Sequence, residues 1–355
     1  MLSSQNIRIV SIGGGTGLSH LLLGLKQFVG RSTDESLINP AALTIEQLTA
    51  VVTVTDDGGS SGRLREEFQI LPPGDIRKCM VALSEDELLM SKLFQYRFSG
   101  KGDLRGHSFG NLFLTALTGV TGDFLEAIRL CSEVLAIKGR ILPSTMADIH
   151  LVAKLENGTA VLGESLIGRT PERIRNISIF PEASEPLPET LEAIDQADII
   201  TLGPGSLFTS LLPNLLVNGI PEAIRRSRAL KVYIGNIMTQ RGETLGFSMA
   251  DHVETICKHV GSFPFNILLC NHSTISEEQK TEYRKEQADQ SQIDFQALSR
   301  YGVWVVTRDL LGKDKKVRHD PKKLARSIFE IGYGLKHPES LLGSHVPSSI
   351  YCVDS

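Results

Sequence analysis

A glycine-rich turn near the start of the chain, Gly13-Gly14-Gly15-Thr16-Gly17, has the residue types and spacing of an anion-binding site. It directly follows an apolar stretch with strand character and directly precedes a helical pattern. Backbone N–H groups and a helix N-terminus would therefore face a phosphate with no side chain between them. Four glycines in five residues exceed what a tight turn requires, so the turn predicts a phosphate site. A tight turn without a ligand is the alternative.

The same turn departs from the dinucleotide-binding fingerprint. A G-x-G-x-x-G motif counted from Gly13 needs a third glycine at position 18, where the chain has Leu18. An acidic residue at the end of the second predicted strand, Asp56 or Asp57, could still bind a ribose hydroxyl as in NAD(P) sites. NAD(P) binding therefore stays open as a hypothesis and ranks last.

Paired carboxylates, Asp56 and Asp57, open a second polar segment with the sequence DDGGSSGRLR. Two carboxylates at a strand end can hold Mg²⁺, and the arginines that follow can bind phosphate. This pair is the candidate metal site and, in an enzyme, the candidate catalytic pair. The alternative is an Asx-type turn at the solvated surface.

A second glycine turn, Gly203-Pro204-Gly205-Ser206, repeats the strand, turn and helix order and offers another helix N-terminus to an anion. Two such turns on one sheet edge suit a diphosphate. The alternative is a proline-set turn followed by Ser206 as a helix N-cap. Asn236 follows a later strand and is expected to line the same crevice.

Polar residues also open two predicted helices. His107 and Asn111 are spaced i and i+4 and therefore share one helix face, where Asn111 is a candidate ligand contact and His107 is either structural or catalytic. Asp75, just before Arg77 and Lys78, either caps a helix or contacts the ligand.

The elements that position these residues follow from the hydrophobic pattern. Apolar, β-branched stretches predict parallel strands at residues 7–12, 48–55, 197–202, 230–234 and 265–269. Right-handed crossovers between them place their carboxyl ends on one edge, where ligands of open α/β sheets bind. Helical spacing predicts a helical insertion at about 75–140, and alternating runs predict a small antiparallel lobe at about 149–181.

Composition narrows the function classes. The 355 residues are 41% hydrophobic and 22% charged, as in an ordinary globular protein. A net charge of −4 and a pI near 6.2 argue against a nucleic-acid partner. Five scattered cysteines suggest neither disulfides nor zinc, and no segment has the length of a membrane span, so a cytoplasmic protein without membrane insertion is expected.

A series of motifs in fixed order resembles the bacterial gluconeogenesis factor family, also called YvcK-like or UPF0052. The similarity runs from Ile7 to Lys323, and the motifs are GGGTGLSHLLLGLK, TVTDDGGSSGRLREEF, PPGDIRKC, GHSFGNLFLTAL, GPGSLFTSLLPNLLV and NIMTQRGET. The family is related in fold to the 2-phospho-L-lactate transferases, which are CofD-like proteins. The resemblance implies one Rossmann-like three-layer α/β/α domain over 1–336. The tail, 337–355, lies outside the resemblance and lacks strong periodicity, so partial disorder is expected there, and its composition makes Ser348 and Ser349 candidate phosphorylation sites.

The resemblance also implies a function. Gluconeogenesis factors act in cell shape and envelope synthesis during growth on gluconeogenic carbon sources and bind UDP-sugars such as UDP-N-acetylglucosamine. It implies that Tyr283 contacts the uridine and Arg318 the phosphate. The leading hypothesis is a regulatory, homo-oligomeric protein that binds this small-molecule ligand without turnover and has a regulatory protein partner. The alternative is a Mg²⁺-dependent transferase that uses a nucleotide-diphosphate-linked donor, with the metal at Asp56 and Asp57.

Overall fold

The computed structural model describes residues 6–30, 44–85, 89–336 and 350–351. Its centre is an eight-stranded sheet with the order β11-β10-β9-β8-β7-β1-β2-β3. The strands are β1 (Asn6–Gly13), β2 (Thr44–Val52), β3 (Arg140–Pro143), β7 (Ile199–Leu202), β8 (Leu230–Ile234), β9 (Ile267–Asn271), β10 (Trp304–Arg308) and β11 (Ile350–Tyr351). All of these pairings are parallel except that of β10 with β11.

A second, antiparallel sheet of three strands forms the small lobe. Its strands are β4 (His150–Leu155), β5 (Ala160–Leu162) and β6 (Ile174–Phe180), in the order β5-β4-β6. The predicted hairpin between β4 and β5 and the predicted antiparallel lobe are therefore confirmed.

Helices cover the sheet and build the insertion. They are α1 (Gly15–Leu25), α2 (Gly59–Phe68), α3 (Gly74–Leu83), α4 (Leu89–Gln95), α5 (Phe109–Thr121), α6 (Phe124–Val134), α7 (Glu164–Ile167), α8 (Pro188–Gln196), α9 (Leu212–Leu215), α10 (Ile220–Arg226), α11 (Met249–Val260), α12 (Glu277–Arg284), α13 (Phe295–Leu298) and α14 (Pro321–Lys336). The predicted α/β fold with a helical insertion is thus confirmed. No helix of the described residues is long and apolar enough to span a bilayer.

The core explains why α1 lies where it does. The strand side chains Ile9 and Ile12 are fully buried, and Leu18 and Leu22 of α1 join them in the same hydrophobic core with no exposure. On its other side α1 meets α14 so closely that a Cβ at Gly24 would lie 2.0 Å from the Pro321 carbonyl oxygen. The first helix is therefore held between the sheet and the last described helix.

The strand order reverses at β1. From β1 the chain adds β2 and β3 on one side, and then β7 to β10 on the other. Such a reversal opens a crevice at the carboxyl ends of the two strands that flank it, here β1 and β7. Both glycine turns begin at this point of the sheet.

Several details differ from the sequence predictions. β2 ends at Val52 rather than Thr55, and the Thr53 N–H donates the last hydrogen bond of the ladder, to the Gly13 carbonyl. The helix predicted after the second glycine turn begins as a π-helix, Leu207–Leu211, because Pro213 has no N–H for the Thr209 carbonyl. The strands β3 and β10 were not predicted. The tail prediction, with Ser348 and Ser349, lies outside the described residues except for 350–351.

Candidate functional site

A cavity of about 630 Å³ lies at the carboxyl edge of the sheet, where β1 and β7 separate. Both glycine-rich turns contribute to its wall. The predicted binding residues that line it are Gly14, Gly15, Thr16, Gly17, Gly205, Ser206, Asn236, Tyr283 and Arg318. The topology thus brings together residues that are up to three hundred positions apart in the sequence.

The first turn is held in place by Asp75. The Gly15 N–H donates to Asp75 Oδ2 over 2.6 Å, and Gly15 has a φ of +62°, which favours glycine. A Cβ at Gly14 would lie 2.8 Å from the same carboxylate oxygen and 2.7 Å from Thr53 Cγ2. Lys78 Nζ bonds the other oxygen of Asp75 at 2.9 Å. Asp75 therefore fixes the turn from behind rather than capping its own helix.

The two glycine turns touch each other through backbone. A Cβ at Gly17 would lie 2.1 Å from the carbonyl oxygen of Pro204 and 3.0 Å from the N of Gly205. Only glycine at position 17 permits this approach. The contact sets the separation of the two helix N-termini in the cavity wall.

The second turn is held by the segment that follows β8. Asn236 brackets Gly205, because its Oδ1 accepts from the Gly205 N–H at 3.3 Å and its Nδ2 donates to the Gly205 carbonyl at 2.8 Å. Gln240 Nε2 donates to Ser206 Oγ at 3.0 Å. Buried Glu243 accepts from the Phe208 N–H at 3.1 Å, and burial raises the pKa of this carboxyl.

Tyr283 and Arg318 form the outer wall of the cavity. The Val317 N–H donates to Tyr283 Oη at 3.1 Å, which joins α12 to the loop that carries Arg318. Tyr283 is half-buried, whereas Arg318 is exposed. Their neighbours in the wall are His20 and His319. Burial lowers the pKa of His319 to about 4, so this side chain is neutral at physiological pH.

Three carboxylates meet beside the first turn. Glu164, which lines the cavity, accepts from Thr55 Oγ1 at 3.1 Å. Burial, and then the charges of Asp75 and Asp56, raise the pKa of Glu164 well above that of an ordinary glutamate. Burial and Asp75 also raise the pKa of Asp56, whose Oδ1 accepts from the Gly58 N–H at 2.9 Å. Glu164 and Asp56 therefore hold their protons more tightly than isolated carboxyl groups do, since each has a raised pKa.

Asp57 lies apart from this cluster. Its Oδ1 accepts from the Ser165 N–H at 2.8 Å and from the Ser165 hydroxyl, and a Cβ at Gly163 would overlap its Oδ2. Asp57 therefore anchors α7 and the small lobe, while Asp56 faces Gly58 and the start of α3. The two carboxylates do not converge on one point. No group of three or more His, Cys, Asp or Glu in the described ranges is placed to hold a metal ion. Asp56 and Asp57 therefore do not fit a shared Mg²⁺ ion.

Asn111 belongs to a buried polar network under the cluster. It accepts from Arg77 Nε at 2.8 Å and donates to Ser60 Oγ at 3.1 Å. Ser60 in turn bonds His107 Nδ1 at 2.9 Å. These contacts join α2, α3 and α5, so Asn111 and His107 position the polar segment and lie outside the cavity wall. Gly13 and Gly203 lie behind the turns, where the Gly13 carbonyl accepts from Asn214 Nδ2 at 3.1 Å.

Sequence reasoning missed Glu164 as part of the site. It follows the edge strand of the small lobe, and no glycine turn or paired charge marks its position. His20 was also missed, although its spacing of four residues from Thr16 placed it on the helix face that the turn presents. Its Nδ1 bonds the Thr16 carbonyl at 2.8 Å.

The sequence matches one protein family and is similar to bacterial proteins named gluconeogenesis factor. Residues 9–311 match the family described as 2-phospho-L-lactate transferase CofD. The chain is 46% identical to the gluconeogenesis factor of Halalkalibacterium halodurans, over 91% of this chain and 95% of that protein. It is 44% identical to the gluconeogenesis factor of Bacillus subtilis, over 92% of this chain and 98% of that one.

A solved structure matches the fold as well. The crystal structure of a UPF0052 family protein from Bacillus halodurans superposes with a TM-score of 0.84 at 44% identity, covering 92% of this chain and 99% of that one. Sequence and fold therefore agree over nearly the whole described chain.

Proposed function

The chain belongs to the gluconeogenesis factors of the CofD family, and from this premise we propose that it is a regulatory protein that binds a UDP-sugar of the UDP-N-acetylglucosamine type. Bound ligand would report on the supply of envelope precursors during growth on gluconeogenic carbon sources. We propose the cytoplasm as its location, a homo-oligomer as its state and a regulatory protein as its partner in controlling cell shape.

The observation that carries the proposal is the composition of one cavity wall. Both glycine turns, Tyr283 and Arg318 face the same 630 Å³. The Gly15, Gly205 and Phe208 N–H groups already donate to Asp75, Asn236 and Glu243. The N–H groups of Thr16 and Gly17, in the first turn of α1, are not among these donors and suit a phosphate of the diphosphate. The half-buried ring of Tyr283 can stack on uracil, and the guanidinium of Arg318 can bind a phosphate in a bidentate manner. The volume is within the range of small-ligand sites.

Calorimetric titration with UDP-N-acetylglucosamine, with and without Mg²⁺ and with NADPH and GDP in parallel, tests this function. Stacking on an aromatic ring is worth about 1–3 kcal/mol per base, so Tyr283→Ala should weaken binding about tenfold or more. Tyr283→Phe keeps the ring and should bind nearly as well as the native protein. Arg318→Gln should weaken binding by a similar factor, and Arg284→Gln, an exposed arginine outside the cavity wall, is the matched control.

Recovery of intact UDP-sugar after saturable, metal-independent binding supports the regulatory role. The proposal fails if the UDP-sugar does not bind, or if Tyr283→Ala and Arg318→Gln bind it as the native protein does. In cells, the same two variants should fail to restore normal shape to a deletion strain on a gluconeogenic carbon source, whereas Arg284→Gln should restore it.

A second candidate function is a metal-dependent transferase, which the match of residues 9–311 to the 2-phospho-L-lactate transferase CofD family favours. This reading predicts Mg²⁺-dependent breakdown of the nucleotide-linked donor, which Asp56→Asn should abolish. Asp57→Asn is less informative, because that carboxylate anchors the small lobe through Ser165. Survival of both binding and cellular activity in Asp56→Asn would rule out the transferase reading.

A further inference from the structure

A second cavity, which we call the basic groove, lies between α1, α3 and α4 and has a volume of about 510 Å³. It shares Thr16, His20 and Arg318 with the cavity of about 630 Å³ at the glycine turns, which we call the nucleotide cavity, and it extends away from that cavity along α1. Its cationic lining residues are Lys26, Arg77, Lys78, Arg97 and Arg318. No Asp or Glu of the described residues lines it.

The positive charge of the basic groove is only partly neutralised. Lys78 Nζ forms an ion pair with Asp75 Oδ1 at 2.9 Å, which largely neutralises its charge. Lys26 Nζ donates to the Ser84 carbonyl at 3.0 Å. In contrast, Arg77, Arg97 and Arg318 form no ion pair with any carboxylate in the part of the chain that the structure describes. Arg97 and Arg318 therefore bring positive charge to one concave surface beside Arg77, whose charge Asp75 and Asp56 offset in part.

Two of these guanidinium groups are close enough to repel each other. Arg77 is only 6% exposed, and its Nε donates to Asn111 Oδ1 at 2.8 Å, which fixes the side chain in the wall. Burial, and then the charge of Arg97, lower the pKa of Arg77. Arg97 is exposed, and its Nη1 donates to the Gly106 carbonyl at 2.8 Å. An anion between the two would relieve both the repulsion and the desolvation.

We propose that the basic groove binds a second small molecule, a phosphate monoester, separately from the nucleotide. The guanidinium fork matches the oxygens of a phosphate, and a monoester carries close to two negative charges at pH 7. The hydroxyl of Thr16 stands at the boundary of the two cavities and can serve either ligand. A concave groove of this volume accommodates a metabolite of a few carbons. A net charge of −4 for the whole chain argues against a polyanion such as nucleic acid.

Because Thr16, His20 and Arg318 belong to both cavities, the two ligands would lie side by side. Occupancy of one site would then alter the affinity of the other, and by thermodynamic linkage the effect would be equal in both directions. The proposal itself does not depend on which nucleotide the neighbouring cavity takes.

Titration of the full chain with glycerol 3-phosphate and with inorganic phosphate, at constant ionic strength, tests the groove. Arg97 lines the groove and not the nucleotide cavity, so Arg97→Gln should weaken both probes about tenfold, the value of one charged hydrogen bond. Lys92→Gln removes a cation from α4, five residues before Arg97 and outside the groove, and should change affinity less than twofold. Circular dichroism confirms that both variants fold.

Three results would overturn the proposal. The first is the absence of saturable binding of either probe. The second is equal weakening by Arg97→Gln and Lys92→Gln, which would indicate diffuse attraction. The third is complete displacement of the probes by UDP-N-acetylglucosamine, which would place them at the diphosphate turns. If the UDP-sugar itself does not bind, the comparison of the two variants still decides whether the groove is a site.

Discussion

Substitution of Gly17 by alanine tests whether the contact between the two glycine turns is as rigid as the geometry indicates. The added methyl group would lie 2.1 Å from the Pro204 carbonyl oxygen, and the contact must open beyond 3.0 Å to be tolerated. Both partners are backbone, so neither can move by a rotamer change. Overpacking of this kind costs about 1–3 kcal/mol. Since about 1 kcal/mol corresponds to roughly 2 °C in a chain of this size, we expect the melting temperature to fall by roughly 2–6 °C.

The matched control is Gly119→Ala. Gly119 is also in a helix, α5, but a Cβ there would meet no atom within 4 Å. Removing a helical glycine at an open position should raise the stability of the protein by up to about 1 kcal/mol. The two variants should therefore move the melting temperature in opposite directions, as measured by calorimetry. Gly17→Ala should also bind the nucleotide more weakly, because its helix N-termini are forced apart. If the two variants have the same melting temperature and the same affinity for the nucleotide, the backbone contact is compliant and the predicted rigidity is wrong.

Three further predictions concern the support of the site. Glu164→Gln removes a carboxyl whose pKa is raised in the folded state. As the pH rises above the ordinary glutamate pKa, the native protein should therefore lose stability relative to this variant, by up to about 1.4 kcal/mol per pH unit. Urea unfolding between pH 4.5 and 8 measures the stability difference, and a difference that does not change with pH would contradict the prediction. Asp57→Ala leaves the Ser165 N–H without its acceptor and should lower the free energy of unfolding by about 1–3 kcal/mol. Amide hydrogen exchange should accelerate more in the small lobe than in the rest of the protein, and a uniform acceleration would argue against an anchoring role. Asn214→Ala removes the donor to the Gly13 carbonyl, in a fully buried position, and should cost about 1–3 kcal/mol by chemical denaturation. Asn218→Ala, at an exposed position, should cost less, and equal losses would count against the buried bond.

The parts of the site that sequence reasoning found are those with local signals. A glycine turn between a strand and a helix is readable within about fifteen residues, so both turns were recognised. Their placement on one edge followed from the handedness of the crossovers. Tyr283 and Arg318 came only from the resemblance, since neither has a local pattern that distinguishes it from a solvated surface residue.

The parts that sequence reasoning missed depend on contacts between distant segments. The Glu164 carboxyl reaches Thr55 across 109 positions, and Asp57 reaches Ser165 across 108, so no spacing rule connects them. Nothing near Asp57 shows that it turns away from Asp56. The strand β10 was overlooked although its run, Trp304–Arg308, carries a local strand signal of β-branched and aromatic residues, and it pairs in parallel register with β9.

The close contact between Gly24 and Pro321 cannot form until both helices have been synthesised. The first helix leaves the ribosome about 300 residues before the helix that packs against it, and translation at roughly 5–20 residues per second makes that interval about 15–60 s. During this time the apolar face of α1 and the strand before it lack their final neighbours, including β7. The nascent segment is therefore a natural client for chaperones that shield apolar surface, and the packing of α1 is completed only after α14 has been synthesised.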